Sequence, residues 1–415
     1  MRVRIDPGPA RGMMKAPPSK SMAHRLLICA GFADGESVIR GVDPSEDVLA
    51  TTDCLRALGA ELRMEDGNVS VRGCNPRKAG NAELRCRESG STLRFMIPPA
   101  LLSDTEKHFT GSEKLMSRPL SVYEDICWEQ GILLRREAGG LKMRGTLRAG
   151  EYEVPGHISS QFISGLMFAL PLKDADSTIR ILPPVESRSY LDLTVQALRD
   201  FGITAAWDGP ETLHIPGGQA YRPRETAVEG DYSNAAYLEI LNDAGGNVTV
   251  TGLRADSLQG DRVYGEYLRQ IREGMPELDV TDCPDLAPAL IAAAAMHHGA
   301  RLTGTRRLRL KESDRGAAMA EEMAKFGIRL ENGENEIVIP AGGLHRPTEP
   351  LSGHNDHRIV MALAAVCMKT GGKIEGAEAV RKSFPDYWER MKILGIRFQE
   401  NGEQRVTGFN CEGVI

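Results

Sequence analysis

Long apolar runs are missing from this sequence. No segment approaches the roughly 20 apolar residues that a membrane span requires, and the first ten residues, MRVRIDPGPA, contain no apolar signal core. We therefore expect no membrane partner and a cytoplasmic location.

A cysteine framework and an excess of positive charge are also missing. The eight cysteines are scattered without a CxxC pair, a distribution typical of free thiols in a reducing compartment and not of a disulfide frame or a zinc site. The formal net charge is −6, which argues against a general nucleic-acid-binding protein. Any cationic site must therefore be local, and we expect neither a metal nor a nucleic-acid partner.

Nucleotide-binding fingerprints are the third absence. Neither GxxxxGK[ST] nor GxGxxG occurs in the chain. ATP and NAD are therefore not supported as ligands, because the glycine-rich loops that hold their phosphates are not there.

What the sequence does contain is a repeat. Similar phrases recur in which a helix ends in glycine and is followed by an alternating strand, a polar turn and a second strand. The spacing is about 70 residues, shortened to about 53 after one incomplete copy. The glycines are Gly59, Gly131, Gly202, Gly327 and Gly395, with Gly274 in the incomplete copy.

A second phrase repeats with the same period. It places a polar residue or glycine before a helix of small or apolar residues, at Ser19, Gly90, Ser159, Asp231, Asp285 and Asp356. Several of these helices are apolar nearly all round and should be buried. One unit then reads strand, buried helix, strand, exposed helix and two-stranded hairpin.

Six such units predict an α/β (α+β) protein of two similar domains, each with three βαβαββ units around buried parallel helices. We place one domain at residues 19–229 and the other at residues 1–18 plus 230–415, with the changeover near Glu229. Helix N-termini carry free N–H groups and positive partial charge. Parallel buried helices would aim these ends at one cleft, which predicts an anion site between the domains.

Charged and hydroxyl side chains accompany the helix starts. Taken singly, each has an ordinary explanation as a helix cap, a tight turn or a solvated charge. Their joint placement, one or two per unit, favours a site for anions. The candidates are Lys20, Ser21, Arg25, Gly90, Arg118, Ser159, Ser160, Gln161, Ser187, Tyr190, Asp285, Lys311, Glu312, Arg315, Arg358 and Lys382.

The segment RLKESDR is the most informative of these. Lys311, Glu312, Asp314 and Arg315 bring two signs of charge into five positions. A solvated helix entry is one interpretation. The other is a lysine and an arginine for anions, with a carboxylate tuned between them for proton transfer.

Together these segments resemble the 5-enolpyruvylshikimate 3-phosphate synthase family over essentially the whole chain. The matching phrases are PPSKSMAHRLLICAG, SGSTLRF, SSQFISGLM, RLKESDR, NDHRIVMALA and KSFPDYW. The resemblance implies two three-repeat domains, an inside-out α/β barrel arrangement, with the active site in the cleft between them. It implies carboxyvinyl transfer from phosphoenolpyruvate to the 5-hydroxyl of shikimate 3-phosphate, on the pathway to chorismate and the aromatic amino acids. No cofactor is implied, and we expect a monomer.

The resemblance also implies roles for single residues. Around shikimate 3-phosphate it implies Lys20, Ser21, Arg25, Ser159, Ser160, Gln161, Ser187, Tyr190, Asp285 and Lys311. Around phosphoenolpyruvate it implies Lys20, Gly90, Arg118, Gln161, Arg315, Arg358 and Lys382. The candidates for proton transfer are Asp285, Glu312 and Lys20.

Two residues depart from the pattern of many relatives. Glu88 stands in place of an asparagine, and its carboxylate would repel phosphoenolpyruvate unless it turns away or pairs, for example with Arg94. Arg307 stands in place of an asparagine that contacts shikimate.

Three other functions compete with this interpretation. A related transferase acts on UDP-N-acetylglucosamine, but the reactive cysteine common in its mobile loop is missing from GSEKLMSRPL. A fold relative cyclises RNA 3′-phosphate ends, which would need a nucleotide and a covalent histidine. The third is a polyanion-binding module without catalysis.

Overall fold

The computed structural model describes residues 1–401 as a mixed α/β protein. The strands are β1 (Arg2–Ile5), β2 (Arg11–Lys15), β3 (Glu36–Arg40), β4 (Glu61–Glu65), β5 (Asn68–Arg72), β6 (Ala82–Arg85), β7 (Lys107–Thr110), β8 (Leu133–Glu137), β9 (Gly140–Arg144), β10 (Glu151–Pro155), β11 (Ser177–Leu182), β12 (Ala206–Trp207), β13 (Thr212–Ile215), β14 (Glu225–Ala227), β15 (Asn247–Thr251), β16 (Glu277–Asp279), β17 (Ala300–Thr303), β18 (Glu331–Asn332), β19 (Glu336–Ile339), β20 (Leu351–Ser352), β21 (Gly372–Glu375) and β22 (Phe398–Asn401).

The helices alternate with these strands. They are α1 (Lys20–Gly31), α2 (Glu46–Ala57), α3 (Gly90–Ala100), α4 (Glu113–Met116), α5 (Ser121–Gln130), α6 (Ser160–Ala169), α7 (Arg188–Asp200), α8 (Tyr232–Glu239), α9 (Tyr264–Glu273), α10 (Ala287–Met296), α11 (Arg315–Lys325), α12 (His357–Thr370) and α13 (Tyr387–Ile393). Among the described residues, none of the helices has the length and apolar character needed to cross a membrane.

Three sheets repeat one strand order. They are β6-β7-β9-β8, β10-β11-β13-β12 and β16-β17-β19-β18. In each, the first two strands are parallel and the last two form an antiparallel hairpin. A helix has to connect the parallel pair, because parallel strands cannot be joined by a tight turn. This confirms the repeating unit that the sequence predicts.

Of the remaining units, two contain a strand from a distant part of the chain and one has fewer strands. The sheet β14-β3-β5-β4 takes its first strand from residues 225–227, and β20-β21-β1-β22 takes one from the N-terminus. The incomplete copy is a two-stranded sheet of β2 and β15. Its glycine, Gly274, is extended at φ 178°, since no hairpin follows it. The glycines at the other five helix ends have positive φ, as the turn into a hairpin requires.

The apolar side chains form two separate clusters. The first core lies within residues 22–221, and the second core combines residues 3–14 with residues 236–396. Helix α10 shows why the repeat buries its helices, because all ten of its residues are buried. By contrast, α9 buries only Leu268 and Ile271 and covers the outside of its core. Apolar residues on every face leave a helix no stable position except the interior.

The chain passes between the two cores twice, and the two passages lie side by side. The backbone N–H of Ser19 donates to Glu229 O at 2.8 Å, and that of Asp231 donates to Pro17 O at 2.8 Å. Residues 18/19 and 229/230, our proposed domain boundaries, fall on these two connecting segments, and the boundaries stay a prediction.

Candidate active site

The six buried helices begin next to one another, at the junction of the two cores. Five of them are capped by side chains that accept hydrogen bonds from backbone N–H groups in the first turn: Ser19, Ser89, Ser159, Asp231 and Asp356. The capping alternative fails for Asp285, because it lies in a short turn, Pro284–Leu286, and α10 has no side-chain cap. Its carboxylate is therefore free for other partners.

A cavity of about 890 Å³, counting the open space at its mouth, lies between these helix starts. Residues 20–190 form what we call its first wall, and residues 285–312 form its second wall. The lining is Lys20, Ser21, Arg25, Ser91, Arg94, Phe95, Arg118, Pro119, Ile158, Ser159, Ser160, Gln161, Ser187, Tyr190, Asp285, Arg307, Leu310, Lys311 and Glu312. Of the residues proposed from the sequence, Gly90, Arg315, Arg358 and Lys382 lie outside this lining.

Arg25 is the most firmly held cation of the first wall. Its Nε donates to Thr194 Oγ1 at 2.8 Å, and its two terminal nitrogens donate to the carbonyl oxygens of Ser21 at 2.7 Å and Tyr190 at 2.8 Å. Burial lowers the pKa of Arg25 to about 10, so the guanidinium stays charged at neutral pH. The sequence thus positions a rigid positive charge one turn into α1.

Lys20 stands at the first position of the same helix. Burial disfavours its ammonium form, but Asp47 Oδ2 lies 2.8 Å from Nζ, and this carboxylate with Glu312 raises the pKa of Lys20 overall. Its backbone N–H donates to Asp231 Oδ2 at 3.2 Å. Lys20 is therefore a charged group at the meeting point of both cores.

Arg94 lines the cavity, although it was not among the proposed site residues. Its Nη1 donates to Gln161 Oε1 at 2.7 Å, and Gln161 Nε2 donates to Ser91 Oγ at 2.9 Å, so two helix starts are tied together. Burial, with the neighbouring Arg118, lowers its pKa to about 10. A charged residue in the otherwise apolar phrase STLRFMI was the signal that could have revealed it.

Gly90 and Arg118 act as a pair at the edge of the first wall. A Cβ on Gly90 would come within 2.6 Å of Arg118 Nη1. Within the described residues, Arg118 Nε is buried and has no hydrogen-bond partner. The glycine thus makes room for an arginine that still has donors for a ligand.

Asp285 is the centre of the second wall. Arg315 Nη1 lies 2.7 Å and Lys311 Nζ 3.1 Å from its Oδ1, and Arg358 Nη2 lies 3.4 Å from its Oδ2. Burial alone would favour the neutral acid, yet these three cations hold its pKa well below the usual range. Asp285 is therefore ionised when no substrate is bound.

Arg315 contacts Glu312 as well as Asp285, and it is itself held by Asp356. It is 1% exposed, and its Nη2 donates to Glu312 Oε2 at 2.8 Å while its Nε donates to Asp356 Oδ2 at 2.9 Å. Burial would raise the pKa of Glu312, but Arg315, with Arg118 from the first wall, holds it well below the usual range. Because its donors are taken by carboxylates, Arg315 would have to give one up to contact a substrate.

Arg358 is less committed to the protein. Its bonds to Asn234 Oδ1 and Asp285 Oδ2 are both long at 3.4 Å, and its Nε has no partner among residues 1–401. Hydrogen bonds of this length are weak. The guanidinium is therefore available to an anion at the start of α12.

Two contacts join the walls directly. Arg307 donates to Ser187 Oγ at 2.5 Å. Arg307, which stands in place of the asparagine of relatives, therefore lies in the cavity lining. Tyr190 Oη lies 3.4 Å from Asp285 Oδ2 and 3.5 Å from Asp261 Oδ2. The first wall thus contributes a serine and a tyrosine to these contacts, and the second core contributes an arginine and two aspartates.

Asp261 was missed by sequence reasoning, because SLQGDRV reads as an ordinary turn. It is buried, and Ser233 donates to its Oδ2. Burial, with Asp285 and Asp231 nearby, raises its pKa to about 7, although Arg358 opposes this. The second core thus holds one carboxyl group with a pKa close to neutral, behind one that is ionised.

Glu88 does not pair with Arg94 as the sequence suggested. It forms an ion pair with Lys382 and accepts hydrogen bonds from Asn355 Nδ2 at 3.2 and 3.3 Å. Lys382 is buried, so the explanation as a solvated charge does not apply to it. Arg94 is unavailable to Glu88 because it is bonded to Gln161.

Comparison with known proteins identifies the family of this chain. The family model for EPSP synthase (3-phosphoshikimate 1-carboxyvinyltransferase) matches residues 6–391. The chain belongs to the EPSP synthase family. It is 39% identical to a 3-phosphoshikimate 1-carboxyvinyltransferase of Clostridium kluyveri, with 96% of this chain and 98% of that protein aligned. The same enzyme of Clostridium beijerinckii is 37% identical over 96% of this chain and 98% of its own length.

Solved structures of the EPSP synthase family share the fold. An EPSP synthase from Acinetobacter baumannii superposes with a TM-score of 0.78 at 23% identity, covering 96% of this chain and 99% of that one. A second structure of an EPSP synthase from this organism also gives 0.78, at 22% identity. The two-domain architecture predicted from the repeats is thereby confirmed.

Proposed function

We propose that this EPSP synthase family member transfers the carboxyvinyl group of phosphoenolpyruvate to the 5-hydroxyl of shikimate 3-phosphate and releases phosphate. The reaction belongs to the shikimate pathway, which leads to chorismate and the aromatic amino acids. One observation carries the proposal. Two ionised carboxylates, Asp285 and Glu312, face a cavity surrounded by cations from both walls. That arrangement suits two anionic substrates that must also exchange protons.

Shikimate 3-phosphate is assigned mainly to the first wall. The firmly bonded Arg25 and the helix start at Ser160 present charge and N–H groups to a phosphate. Asp285 and Lys311 of the second wall would receive the ring hydroxyls. The full proposed set is Lys20, Ser21, Arg25, Ser159, Ser160, Gln161, Ser187, Tyr190, Asp285 and Lys311.

Phosphoenolpyruvate is assigned to the junction of the walls. Arg118 and Arg358 each have an Nε without a partner in the described part of the chain. Arginine suits the two-pronged binding of carboxylate and phosphate. The full proposed set is Lys20, Gly90, Arg118, Gln161, Arg315, Arg358 and Lys382.

The chemistry needs proton movements in both of its steps. In the addition, the 5-hydroxyl loses a proton and its oxygen attacks C2 of phosphoenolpyruvate while the methylene carbon gains a proton, giving a tetrahedral intermediate. In the elimination, the new methyl group loses a proton, the carbon–carbon double bond re-forms and phosphate leaves from C2. An ionised carboxylate is ready to accept the hydroxyl proton, and both Asp285 and Glu312 are in that form. Anionic substrates beside Glu312 would raise its pKa towards a value useful for acid–base work. Lys20 is the charged group placed to donate or relay a proton.

Phosphate release tests this function. The protein is incubated with phosphoenolpyruvate, with and without shikimate 3-phosphate, and free phosphate is measured. We expect release only with shikimate 3-phosphate. Equal release with UDP-N-acetylglucosamine would overturn the acceptor, and binding of phosphoenolpyruvate without any release would favour a non-catalytic polyanion-binding module.

We further propose that the protein works as a monomer in the cytoplasm and that the substrates draw its two halves together. Residues of both walls are needed to surround them, so binding energy favours the compact arrangement. Small-angle scattering should give the mass of one chain and a smaller radius of gyration with both substrates. An unchanged radius would count against the motion.

A further inference from the structure

Glu88 connects the two cores at a point just outside the cavity. It lies in the turn before α3, whose cap is Ser89 and whose first residue is Gly90. Its carboxylate accepts hydrogen bonds from Asn355 Nδ2 and forms an ion pair with Lys382 Nζ, both from the second core. Burial would raise the pKa of Glu88, but the Lys382 ammonium with the Asn355 amide lowers it. The carboxylate is therefore charged near neutral pH.

Lys382 is fixed by this contact. Its side chain is 8% exposed, and its other hydrogen bond goes to the carbonyl oxygen of Asn355 at 2.7 Å. Neither Lys382 nor Glu88 lines the cavity. An ammonium group held by a carboxylate and a carbonyl offers little net attraction to another anion, since its charge is already neutralised.

We propose that Glu88 is an internal competitor of phosphoenolpyruvate, an anion of the protein that occupies Lys382 until the substrate displaces it and so sets the affinity for that substrate. The proposal rests on the proposed function and adds to it a residue that determines affinity. Displacement is local, because Lys382 and Glu88 meet only two residues from Gly90, on the side assigned to phosphoenolpyruvate.

The contact is selective between the two substrates. The cations assigned to shikimate 3-phosphate are held by other groups, Lys20 by Asp47 and Arg25 by Thr194 and backbone carbonyls. Neutralising Glu88 therefore leaves their bonds intact. A change at Glu88 should appear in the KM for phosphoenolpyruvate and not in the KM for shikimate 3-phosphate.

Glu88→Gln tests the proposal, because glutamine keeps the size and hydrogen bonding of the side chain while removing its charge. We expect the KM for phosphoenolpyruvate to fall by about 3- to 10-fold, with kcat and the KM for shikimate 3-phosphate unchanged within about twofold. Glu83→Gln is the matched control. Glu83 is an exposed glutamate paired with Arg85, five positions earlier in the chain, and its loss should change neither KM. A KM for phosphoenolpyruvate that stays the same or rises in Glu88→Gln would overturn the proposal.

Two further variants distinguish competition from a structural clasp, that is, from a contact that only holds the two cores together. Asn355→Ala removes the hydrogen bond that the Asn355 side-chain amide donates to Glu88, but it leaves the ion pair between Glu88 and Lys382. A clasp predicts that Asn355→Ala and Glu88→Gln shift both KM values alike, and that result would contradict competition. In a Lys382→Gln background, Glu88→Gln should no longer lower the KM for phosphoenolpyruvate, because the cation it competes for is gone.

A binding measurement keeps this inference distinct from the proposed function. Calorimetric titration with phosphoenolpyruvate alone requires no turnover, and the Kd should be about 3- to 10-fold lower in Glu88→Gln than in the unmodified protein. Phosphate release with an unaltered KM and Kd in the variant would leave the function standing and overturn the role of Glu88. A lower Kd without phosphate release in either protein would support competition and overturn the function.

Discussion

The two walls of the cavity differ in the sign of their charges. Among the described residues, the lining of the first wall contains lysine, arginine, serine, glutamine and tyrosine but no carboxylate. The second wall contributes Asp285 and Glu312, together with Arg307 and Lys311. Both carboxylates thus lie on one side.

This difference is what a reaction of two anions requires. A carboxylate beside a bound phosphate raises the free energy of the complex, so a wall that only binds anions should have none. Proton transfer nevertheless needs carboxylates, and their charge has to be compensated. Asp285 is therefore surrounded by Lys311, Arg315 and Arg358. Changes on the first wall, Lys20 apart, should alter binding, whereas changes to the carboxylates of the second should alter rate.

The largest effect is expected for Glu312→Gln. The variant keeps a hydrogen-bond acceptor for Arg315, whose Nη2 lies 2.8 Å from Glu312, but it cannot exchange a proton. We expect kcat to fall about 100-fold or more while phosphoenolpyruvate still binds. Steady-state kinetics with both substrates measure this, and calorimetry measures the binding.

Glu321→Gln is the control for that variant, since Glu321 is an exposed glutamate on α11, the helix that follows Glu312 in the chain. Its kcat should equal that of the unmodified protein. An unchanged kcat in Glu312→Gln would move the proton-transfer role to Asp285 or Lys20. Lys20 belongs to the first wall, so a role for it would break the proposed division between the walls.

The second largest effect is on stability, at Asp261. Its folded-state pKa of about 7 exceeds that of an unfolded aspartate, mainly through burial and the nearby carboxylates Asp285 and Asp231. The folded protein therefore keeps a proton that the unfolded chain loses above about pH 4. The contribution of Asp261 to stability falls as pH rises from about 4 to about 7, and then levels off.

Asp261→Asn has no such dependence, and asparagine can still accept the hydrogen bond from Ser233. The free energy of unfolding of the variant minus that of the unmodified protein should therefore increase by about 2 kcal/mol or more from pH 5 to pH 7. Denaturant unfolding at several pH values measures it. A difference that does not vary with pH would show that Asp261 is ionised in the folded state, and that the second core tolerates one more negative charge than we infer.

Much of the fold follows from the sequence because the repeat shows itself twice, in glycine-ended helices and in small-residue helices. The copy at Gly274 was recognised as incomplete from its spacing alone. The addition of strands from distant parts of the chain could be predicted only in part. Strand β1 pairs Arg2 with Glu375 of β21 and with Asn401 of β22, and no local pattern specifies partners so far along the chain.

The site was less predictable than the fold, because charge patterns indicate which residues are functional but not which residues pair. Glu88 illustrates this. Its nearest cation in sequence on the helix side was Arg94, yet packing joins Arg94 to Gln161 and leaves Glu88 to Lys382. Asp261 illustrates the same limit, since only the packed structure puts Tyr190 between it and Asp285.

The third prediction tests whether a cation of the second core, next to the second wall, also binds an anion. Arg358→Lys keeps the charge but loses the planar pair of donors, so we expect the KM for phosphoenolpyruvate to rise about 10-fold with a smaller change in kcat. Lys392→Arg serves as a control, since Lys392 is a surface lysine 59% exposed. A fall in kcat without a change in KM would place Arg358 with the proton-transfer groups, because it also contacts Asp285.

The smallest effect is expected on the first wall, for Gly90→Ala. The added methyl group would lie 2.6 Å from Arg118 Nη1, so the end of this flexible side chain has to move away from the position it offers to phosphoenolpyruvate. Gly90 opens α3, and alanine favours a helix, so the fold should not suffer. We expect the KM for phosphoenolpyruvate to rise about threefold, with kcat and the midpoint of thermal unfolding unchanged.

Gly80→Ala is the matched control for that change. A Cβ at Gly80 meets no atom within 4 Å, so this variant adds the same methyl group without displacing a cation, and its kinetics should be those of the unmodified protein. A large loss of kcat in Gly90→Ala would mean that Arg118 stabilises the reacting charge as well as binding the substrate. Since Arg118 also contributes to the low pKa of Glu312, that outcome would show a first-wall cation controlling the chemistry of the second wall, and the division between binding and rate would no longer hold.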